Sequence, residues 1–208
     1  IKQTIMGDSM GRIITGDCLE IMPTLPDKSI DMILCDLPYG SVACKWDVRI
    51  PFEPLWKQYK RLIKDNGAIV LTASQPFTSA LVMSNPGWFK YELIWLKDKP
   101  SGFANAKIKP MSCHESVLIF GKGRTIYNPQ YWESKPMNTV YFSGGDRKAS
   151  IATGTKPVRV PLDKLNRTER LPISYLKMNT VNGQAGDKTE HPTQKPVALF
   201  EYLIRTYT

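Results

Sequence analysis

The sequence contains few of the side chains that commonly bind metals. Its 208 residues include four cysteines and two histidines, and no two cysteines form a Cys-x-x-Cys pair. Structural zinc sites usually combine such pairs with further cysteines or histidines. We therefore expect no zinc site and no metal at the functional site. Cys35 lies inside an apolar run, where a free cysteine usually acts as a small core residue.

Long apolar runs are also absent. No stretch approaches the roughly 18 apolar residues that a membrane-spanning helix needs, and no charged-then-apolar leader opens the chain. These absences predict a soluble, cytoplasmic protein with no membrane partner. The length suffices for one sizeable domain, or for a domain with an inserted module. A hydrophobic content of 42% suits a packed core.

Acidic residues are scarce relative to basic ones. The chain has 28 lysines and arginines against 19 acidic residues, which gives a formal net charge of +9. Between residues 121 and 190 there are twelve basic residues and six acidic ones. A basic excess suits a polyanionic partner, because each cation placed on a phosphate releases condensed counterions. In this polar, irregular segment it favours nucleic-acid contact or a disordered linker, and several aromatic residues argue against a pure linker.

The apolar pattern predicts alternating strands and helices. Predicted strands cover residues 12–15, 31–35, 68–72, 90–96 and 115–120, and the longer predicted helices cover residues 53–64, 76–83 and 197–207. Alternation of this kind is typical of an α/β fold with a doubly wound sheet. Asp65-Asn66-Gly67 is predicted to end the helix over residues 53–64.

The most informative segment is Asp36-Leu37-Pro38-Tyr39, at the carboxyl end of a predicted buried strand. Open α/β sheets bind ligands at this end of their strands. The Asp36 carboxylate and the Leu37 carbonyl could accept hydrogen bonds from an exocyclic amine, and the Tyr39 ring could stack on a flat base. Pro38 would fix the turn that aims the carbonyl. The plainer interpretation is a strand followed by a proline turn, with Tyr39 as a half-buried lid.

This segment, together with its neighbours, resembles the signature of the amino-directed DNA methyltransferases. That signature is Asp/Asn/Ser-Pro-Pro-Tyr/Phe, and this chain has leucine at the second position. Its place early in the chain, with the His-Pro-Thr-Gln-Lys-Pro segment late, is similar to the β group of the family. The other matching segments are Gly16-Asp17-Cys18-Leu19, Tyr91 to Lys97, His114 to Phe120, and His191-Pro192-Thr193-Gln194-Lys195-Pro196.

The resemblance implies a division of the chain into three parts. Residues 1–120 would form the catalytic half of a Rossmann-like, S-adenosylmethionine-dependent methyltransferase sheet. Residues 121–190 would form an inserted target-recognition segment, and residues 191–208 would begin the cofactor-binding region. The family's Gly-rich turn, which approaches the cofactor closely, does not occur in the sequence. We therefore expect the printed chain to bind S-adenosylmethionine weakly at best and to lack roughly three of the sheet's usual strands, as a truncated product of a longer chain would.

The resemblance also implies roles for individual residues. Asp36, Leu37, Pro38 and Tyr39 would hold the target base. The cofactor-binding candidates are Asp17, Cys18, Asp36, His191 and Lys195. Lys195 would pair with the methionine carboxylate, and Asp17 would accept from the cofactor's adenine amine, although a helix cap explains Asp17 almost equally well. For His191, a turn-stabilising role is slightly favoured over a catalytic one. The candidate DNA contacts are Lys45, Arg147, Lys148 and Arg159.

The implied activity is methylation of adenine N6 in double-stranded DNA, in a bacterial, archaeal or phage-infected cell and in the setting of restriction-modification. Asp36 at the first signature position favours adenine within the family. Cytosine-N4 methylation and a catalytically inactive DNA-binding fragment stay open as alternatives, and a homodimer is also left open. Methylation of RNA is less favoured, because no RNA-module signature occurs. The absence of a Pro-Cys dipeptide disfavours methylation of cytosine carbon 5, which needs a cysteine nucleophile.

Overall fold

A computed structural model describes residues 2–5, 11–41, 44–45, 47–133, 168–181, 191 and 193–208. The chain divides into two compact units, of which Ile1–Asn128 with Ile173–Thr208 form the first and Pro129–Pro172 form the second. Among the described residues, no helix is both long and apolar enough to cross a membrane.

The first unit contains most of the regular structure. Its strands are β1 (Lys2–Ile5), β2 (Arg12–Thr15), β3 (Ile30–Asp36), β4 (Ile63–Ala73), β5 (Phe89–Ser101), β6 (Ser112–Phe120) and β9 (Tyr175–Lys177). Its helices are α1 (Cys18–Ile21), α2 (Phe52–Leu62), α3 (Phe77–Ser84) and α4 (Val197–Tyr207), with short 3₁₀ turns at Met22–Thr24 and Phe103–Asn105. The second unit contributes β7 (Trp132–Glu133) and β8 (Glu169–Arg170).

A five-stranded mixed sheet organises the first unit, with the strand order β3-β4-β6-β5-β9. Strand β4 runs parallel to β3, and β9 runs parallel to β5, whereas β6 is antiparallel to both of its neighbours. The reversal follows from the short connection between β5 and β6, because a parallel neighbour needs a crossover of a dozen or more residues. The start of β6 therefore lies at the same edge of the sheet as the ends of β3 and β4.

Helices cover both faces of this sheet, as the predicted α/β fold requires. Ile69 and Leu71 of β4 face a core that includes α2 and α3, whereas Ala68 and Val70 of the same strand face α4. Successive side chains of a strand point to opposite faces, so a continuously apolar strand fills two cores at once. Apolar burial on both faces is the main source of this unit's stability, and the α/β prediction is confirmed.

The end of helix α2 differs from the prediction. The helix ends at Leu62, and β4 begins directly at Ile63, so Asp65-Asn66-Gly67 lies within the strand. The strand pairing skips residues here, since Ile30 is opposite Ile63 but Met32 is opposite Ala68. A side chain at Gly67 would lie 2.6 Å from the Asp31 carbonyl oxygen, so glycine permits this irregular stretch. The helices predicted over residues 76–83 and 197–207 are present as α3 and α4.

The second unit contains a small antiparallel ladder. Trp132 pairs with Arg170 and Glu133 pairs with Glu169. The Trp132 indole Nε1 also donates a hydrogen bond of 3.1 Å to the carbonyl of Leu171. This ladder lies inside the segment assigned to target recognition, and that assignment stays a prediction.

Candidate functional site

The Asp36 carboxylate lies at the carboxyl end of β3 and is held by hydroxyl groups. In the strand register Asp36 is opposite Thr72 of β4, and the Thr72 hydroxyl donates to Asp36 Oδ1. The Tyr39 hydroxyl donates to the same oxygen over 3.0 Å. The Leu37 side chain is buried in the core on the α2 and α3 face of the sheet. Leucine at the second signature position therefore serves packing, and only its backbone could contribute to a binding site.

Two lysines and two carboxylates form an alternating ion cluster beside this turn. Lys195 Nζ lies 3.0 Å from Asp36 Oδ2 and 3.4 Å from Glu115 Oε2, and Lys97 Nζ lies 3.2 Å from Glu115 Oε1. The Lys97 and Lys195 side chains are only 8% and 9% exposed, and that of Glu115 is 16% exposed. Ammonium groups so far from water need close counterions. Because the formal charges of the four groups cancel, the cluster meets this requirement.

The Tyr39 hydroxyl is a donor to both carboxylates of the ion cluster. Besides Asp36, it reaches Glu115 Oε2 at 3.5 Å. Burial, followed by the negative charge of Asp36, raises the pKa of the Tyr39 hydroxyl well above its usual value. The group therefore stays protonated at neutral pH. The ring stacks on Phe77, with centroids 5.3 Å apart, and Lys195 Nζ lies 5.4 Å from the Tyr39 ring centroid.

The loop after Tyr39 is held by Asp47 and Arg49. The Asp47 carboxylate accepts hydrogen bonds from the backbone N–H groups of Gly40 and Ser41, at 2.9 and 2.7 Å. Arg49 Nε donates to the Tyr39 carbonyl over 2.7 Å. Gly40 has φ of +64°, and a side chain there would lie 2.8 Å from the Arg49 side chain. Glycine thus allows both the left-handed turn and the close approach of Arg49.

These groups surround a cavity of about 740 Å³ at the carboxyl edge of the sheet. Its lining includes Asp36, Leu37, Pro38, Tyr39, His191 and Lys195, and also Lys97, Ser101 and Glu115. Segments that are 159 positions apart in the sequence therefore meet in one pocket. His191 Nδ1 lies 3.0 Å from the Thr193 hydroxyl oxygen and 3.3 Å from its backbone nitrogen. The predicted target-binding residues and three of the five predicted cofactor-binding residues, Asp36, His191 and Lys195, thus line one cavity.

The remaining predicted residues lie elsewhere. Asp17 caps α1, since its Oδ1 accepts a 2.8 Å hydrogen bond from the backbone N–H of Leu19. Cys18 is partly buried against the core, and this burial raises the pKa of its thiol. Neither residue, nor the exposed Lys45, lines the pocket. The predicted DNA contacts Arg147, Lys148 and Arg159 lie outside the described residues. All these proposed binding roles stay predictions.

Sequence reasoning did not assign the residues that support Asp36. Thr72, Lys97 and Glu115 each lie at or near the strand ends beside Asp36. The sequence does show charged residues near the ends of apolar strands. Which of them meet in space depends on the order of the strands in the sheet, and the sequence does not show that order. Within the part of the chain that the structure describes, no group of three or more His, Cys, Asp or Glu residues could hold a metal ion.

Comparison with known proteins gives consistent matches. The sequence profile of the family described as DNA methylase, whose members act at N6 or N4, matches residues 30–208. The type II methyltransferase M.HinfI of Haemophilus influenzae is 26% identical over 204 residues, which cover 85% of this chain and 56% of the relative. The type II methyltransferase M1.MboII of Moraxella bovis is 24% identical over 202 residues, covering 91% and 76%. The chain thus spans little more than half of the length of the first of these relatives.

A solved structure shares the fold. The PvuII DNA methyltransferase, described as cytosine-N4-specific, aligns with a TM-score of 0.58 and 15% identity over 93% of this chain and 68% of that one. The fold shared with this structure and the family match both point to the same family of proteins. Because the match runs from residue 30 to residue 208, the chain belongs to the N6/N4 DNA methylase family.

Proposed function

We propose that this chain carries the target-binding part of an S-adenosylmethionine-dependent DNA methyltransferase that acts on adenine N6 in double-stranded DNA. One observation carries the proposal: Lys195 of the late motif lies 3.0 Å from the Asp36 carboxylate of the signature, inside one cavity. A flipped base and a small cofactor must meet in such a cavity for a group to pass between them.

Asp36 is the residue proposed to orient the target amine. The lone pair of an aromatic exocyclic amine is delocalised into the ring, so the amine is a poor nucleophile. A hydrogen bond from the amine to the Asp36 carboxylate would favour a pyramidal nitrogen with its lone pair directed away from the ring. The Thr72 and Tyr39 hydroxyls bind Oδ1, and this fixes the carboxylate before the base arrives. Acceptors fixed in advance stabilise developing positive charge without reorganisation.

The rest of the signature would complete the base-binding corner. The buried Leu37 side chain anchors the turn, and its carbonyl is the proposed second acceptor for the amine. Pro38 restricts the backbone of the same turn. Tyr39 is the proposed stacking partner for the base, and Phe77 supports its ring from the core. A flipped base usually stacks on such side chains while its Watson–Crick edge is bound.

The pocket suits a ligand of nucleoside size. Small-molecule sites usually enclose about 300–1,000 Å³, and this cavity falls within that range. S-adenosylmethionine would supply an electrophilic sulfonium methyl group when bound. Of the residues predicted to hold it, Asp36, His191 and Lys195 line the cavity. Lys195 provides the ammonium that would pair with a carboxylate. Asp17 and Cys18 do not line it, so the pocket geometry supports their cofactor role less.

Adenine is proposed over cytosine because Asp36 occupies the first signature position, where the family's adenine enzymes commonly carry aspartate. The fold of the cytosine-N4-specific relative does not distinguish the two bases. Restriction-modification is the proposed setting, since two relatives are type II methyltransferases. A cytoplasmic location is proposed on the same ground.

Labelled methyl transfer from S-adenosylmethionine to duplex DNA tests this function. Asp36→Ala removes the proposed acceptor for the amine, and we expect transfer to fall by about 10²–10³-fold. Asp65→Ala is the matched control, because Asp65 is an exposed partner of Lys28 and Lys122, and the activity of this variant should be unchanged. Digestion to nucleosides should give N6-methyl-2′-deoxyadenosine. Near-normal transfer by Asp36→Ala would refute the mechanism, and N4-methyl-2′-deoxycytidine as product would overturn the choice of base.

A further inference from the structure

The hairpin between β5 and β6 ends in an ordered turn. Ser101 pairs with Ser112 at its base, and the backbone N–H groups of Ile108 and Lys109 both donate to the Asn105 carbonyl, over 2.9 and 3.0 Å. The Asn105 N–H donates to the Gly102 carbonyl over 3.0 Å. We define residues 101–112 as the hairpin tip. Its backbone is hydrogen-bonded, so the turn that carries its side chains is ordered.

The hairpin tip exposes large apolar side chains. Phe103 is 83% exposed, Ile108 is 84% exposed and Met111 is 40% exposed. Large apolar groups held in water by an ordered turn cost solvation free energy, and clusters of them commonly mark a contact surface. These side chains do not belong to either hydrophobic core cluster of the first unit. Core packing therefore does not explain why they are apolar.

The hairpin tip and the residues next to it carry lysines and no acidic residue. Residues 99–114 include Lys99, Lys107 and Lys109 and contain no aspartate or glutamate. A surface that combines apolar side chains with lysines and lacks acids complements a phosphate backbone that carries exposed bases. The charge pattern therefore favours nucleic acid over a protein.

The hairpin tip starts at the wall of the candidate pocket. Lys97 and Ser101 of β5 line the cavity that contains Asp36, and Glu115 of β6 lines it from the other arm of the hairpin. A duplex whose base enters the cavity must therefore pass close to the tip. Removing a base from the stack leaves a gap that an apolar side chain can fill.

We propose that the hairpin tip is a contact for double-stranded DNA. Lys107 and Lys109 bind backbone phosphates, and Phe103 packs against the bases beside the one that enters the pocket. This inference rests on the proposed function, because it assumes that the target base lies in duplex DNA. It adds a DNA-contacting element outside the segment 121–190 to which target recognition was assigned.

Binding of fluorescent duplex DNA, measured by anisotropy at several salt concentrations, tests the lysines. Each phosphate contact contributes about 0.9 to the slope of log affinity against log salt. The double variant Lys107→Gln, Lys109→Gln should therefore lower the slope by about 1.8. The matched control is Lys57→Gln, Lys90→Gln, because both lysines are exposed, and Lys90 lies near the start of β5, at the opposite end of the strand from Ser101. The control should keep the wild-type slope.

Phe103→Ala tests the apolar contact separately. We expect weaker DNA binding by roughly tenfold, in line with the loss of one stacking contact, with the salt slope unchanged and partial recovery in Phe103→Tyr. With the Phe103→Ala variant, a 2-aminopurine placed next to the target base in the DNA should no longer change its fluorescence when the protein binds. Because Phe103 is exposed, the thermal unfolding midpoint should not move, and this separates lost contact from misfolding.

The outcomes distinguish this inference from the proposed function. If the protein methylates duplex DNA and the tip variants bind it like the wild type, the hairpin proposal is wrong while the function stands. If the slope depends on the tip lysines but no methyl transfer occurs, the contact stands and the function is wrong. Self-association that Phe103→Ala abolishes, with DNA binding unchanged, would overturn the proposal in favour of an interface between copies of the chain.

Discussion

Replacing Glu115 by glutamine should strongly destabilise the fold, because Glu115 is the shared counterion of two buried ammonium groups. Its two carboxylate oxygens lie 3.2 Å from Lys97 Nζ and 3.4 Å from Lys195 Nζ. Glutamine has nearly the same shape, so the change removes charge without opening a cavity. Lys97 would lose its nearby anion, and Lys195 would keep only Asp36.

The expected size follows from how little water reaches these groups. Removing one partner of a buried ion pair costs about 3–5 kcal/mol, because the other charge remains buried without compensation. Glu115 is 16% exposed and Asp36 remains near Lys195, so we expect a loss of about 2–4 kcal/mol, at the lower end of that range or slightly below it. The free energy of unfolding from urea titration at neutral pH measures this loss.

Glu201→Gln is the matched control. Glu201 pairs with Arg205 one helical turn away on α4, at 2.6 Å, but the two side chains are 54% and 66% exposed. An exposed pair of this kind contributes about 0.3–0.5 kcal/mol. The double variant Lys97→Met, Glu115→Gln should recover part of the Glu115→Gln loss, because it leaves only the Lys195–Asp36 pair. Equal losses in Glu115→Gln and Glu201→Gln would refute the reasoning, since the ion cluster would then be as well solvated as the surface.

Two further predictions concern other parts of the first unit. Leu203→Ala should destabilise by about 2–5 kcal/mol, because Leu203 is fully buried between α4 and the sheet. Ile204→Ala, on the half-exposed face of the same helix, should cost less than half as much in the same urea titration. The pKa of Asp98 is lowered because its carboxylate accepts from the backbone N–H and hydroxyl of Thr180. The hydrogen-bonded Asp98 carboxylate therefore adds to the free energy of unfolding at pH values above its ordinary pKa of 3.8. This stabilisation is lost as the pH falls through the lowered pKa. Unfolding measured down this acid range should therefore show a smaller pH-dependent loss in Asp98→Asn than in the wild type, and equal losses would contradict this.

The sequence predicted well those strands and helices whose beginning, end and apolar pattern are all visible in neighbouring residues. Strand β3 is a continuous apolar run that ends at Asp36, and α4 begins directly after a proline and ends close to the predicted position. The α2 boundary was wrong because Asp65-Asn66-Gly67 is a typical helix stop by composition, whereas β4 pairs with β3 on both sides of this stretch, at Ile63 and from Ala68 onward. Tertiary pairing overrode the local preference.

The candidate site was predictable only in part. Asp36 and Tyr39 were found from the motif at a strand end, and the resemblance pointed to Lys195. Their contact at 3.0 Å between Lys195 and Asp36 depends on α4 packing against the sheet, and no local pattern contains that information. Glu115 reaches the same site only because β6 runs antiparallel to its neighbours. A strictly parallel arrangement would have placed the start of β6 at the opposite edge.

The antiparallel β5–β6 hairpin also combines two strand arms of fixed geometry with a turn whose sequence and length can change. Its two arms supply Lys97 and Glu115 from strand positions whose geometry the sheet enforces. The turn that joins the arms can lengthen, shorten or change its side chains without altering the strand order, because loops at the ends of hairpins tolerate such changes. Changes in this turn would therefore alter the surface beside the pocket, while Lys97 and Glu115 keep their positions in the sheet.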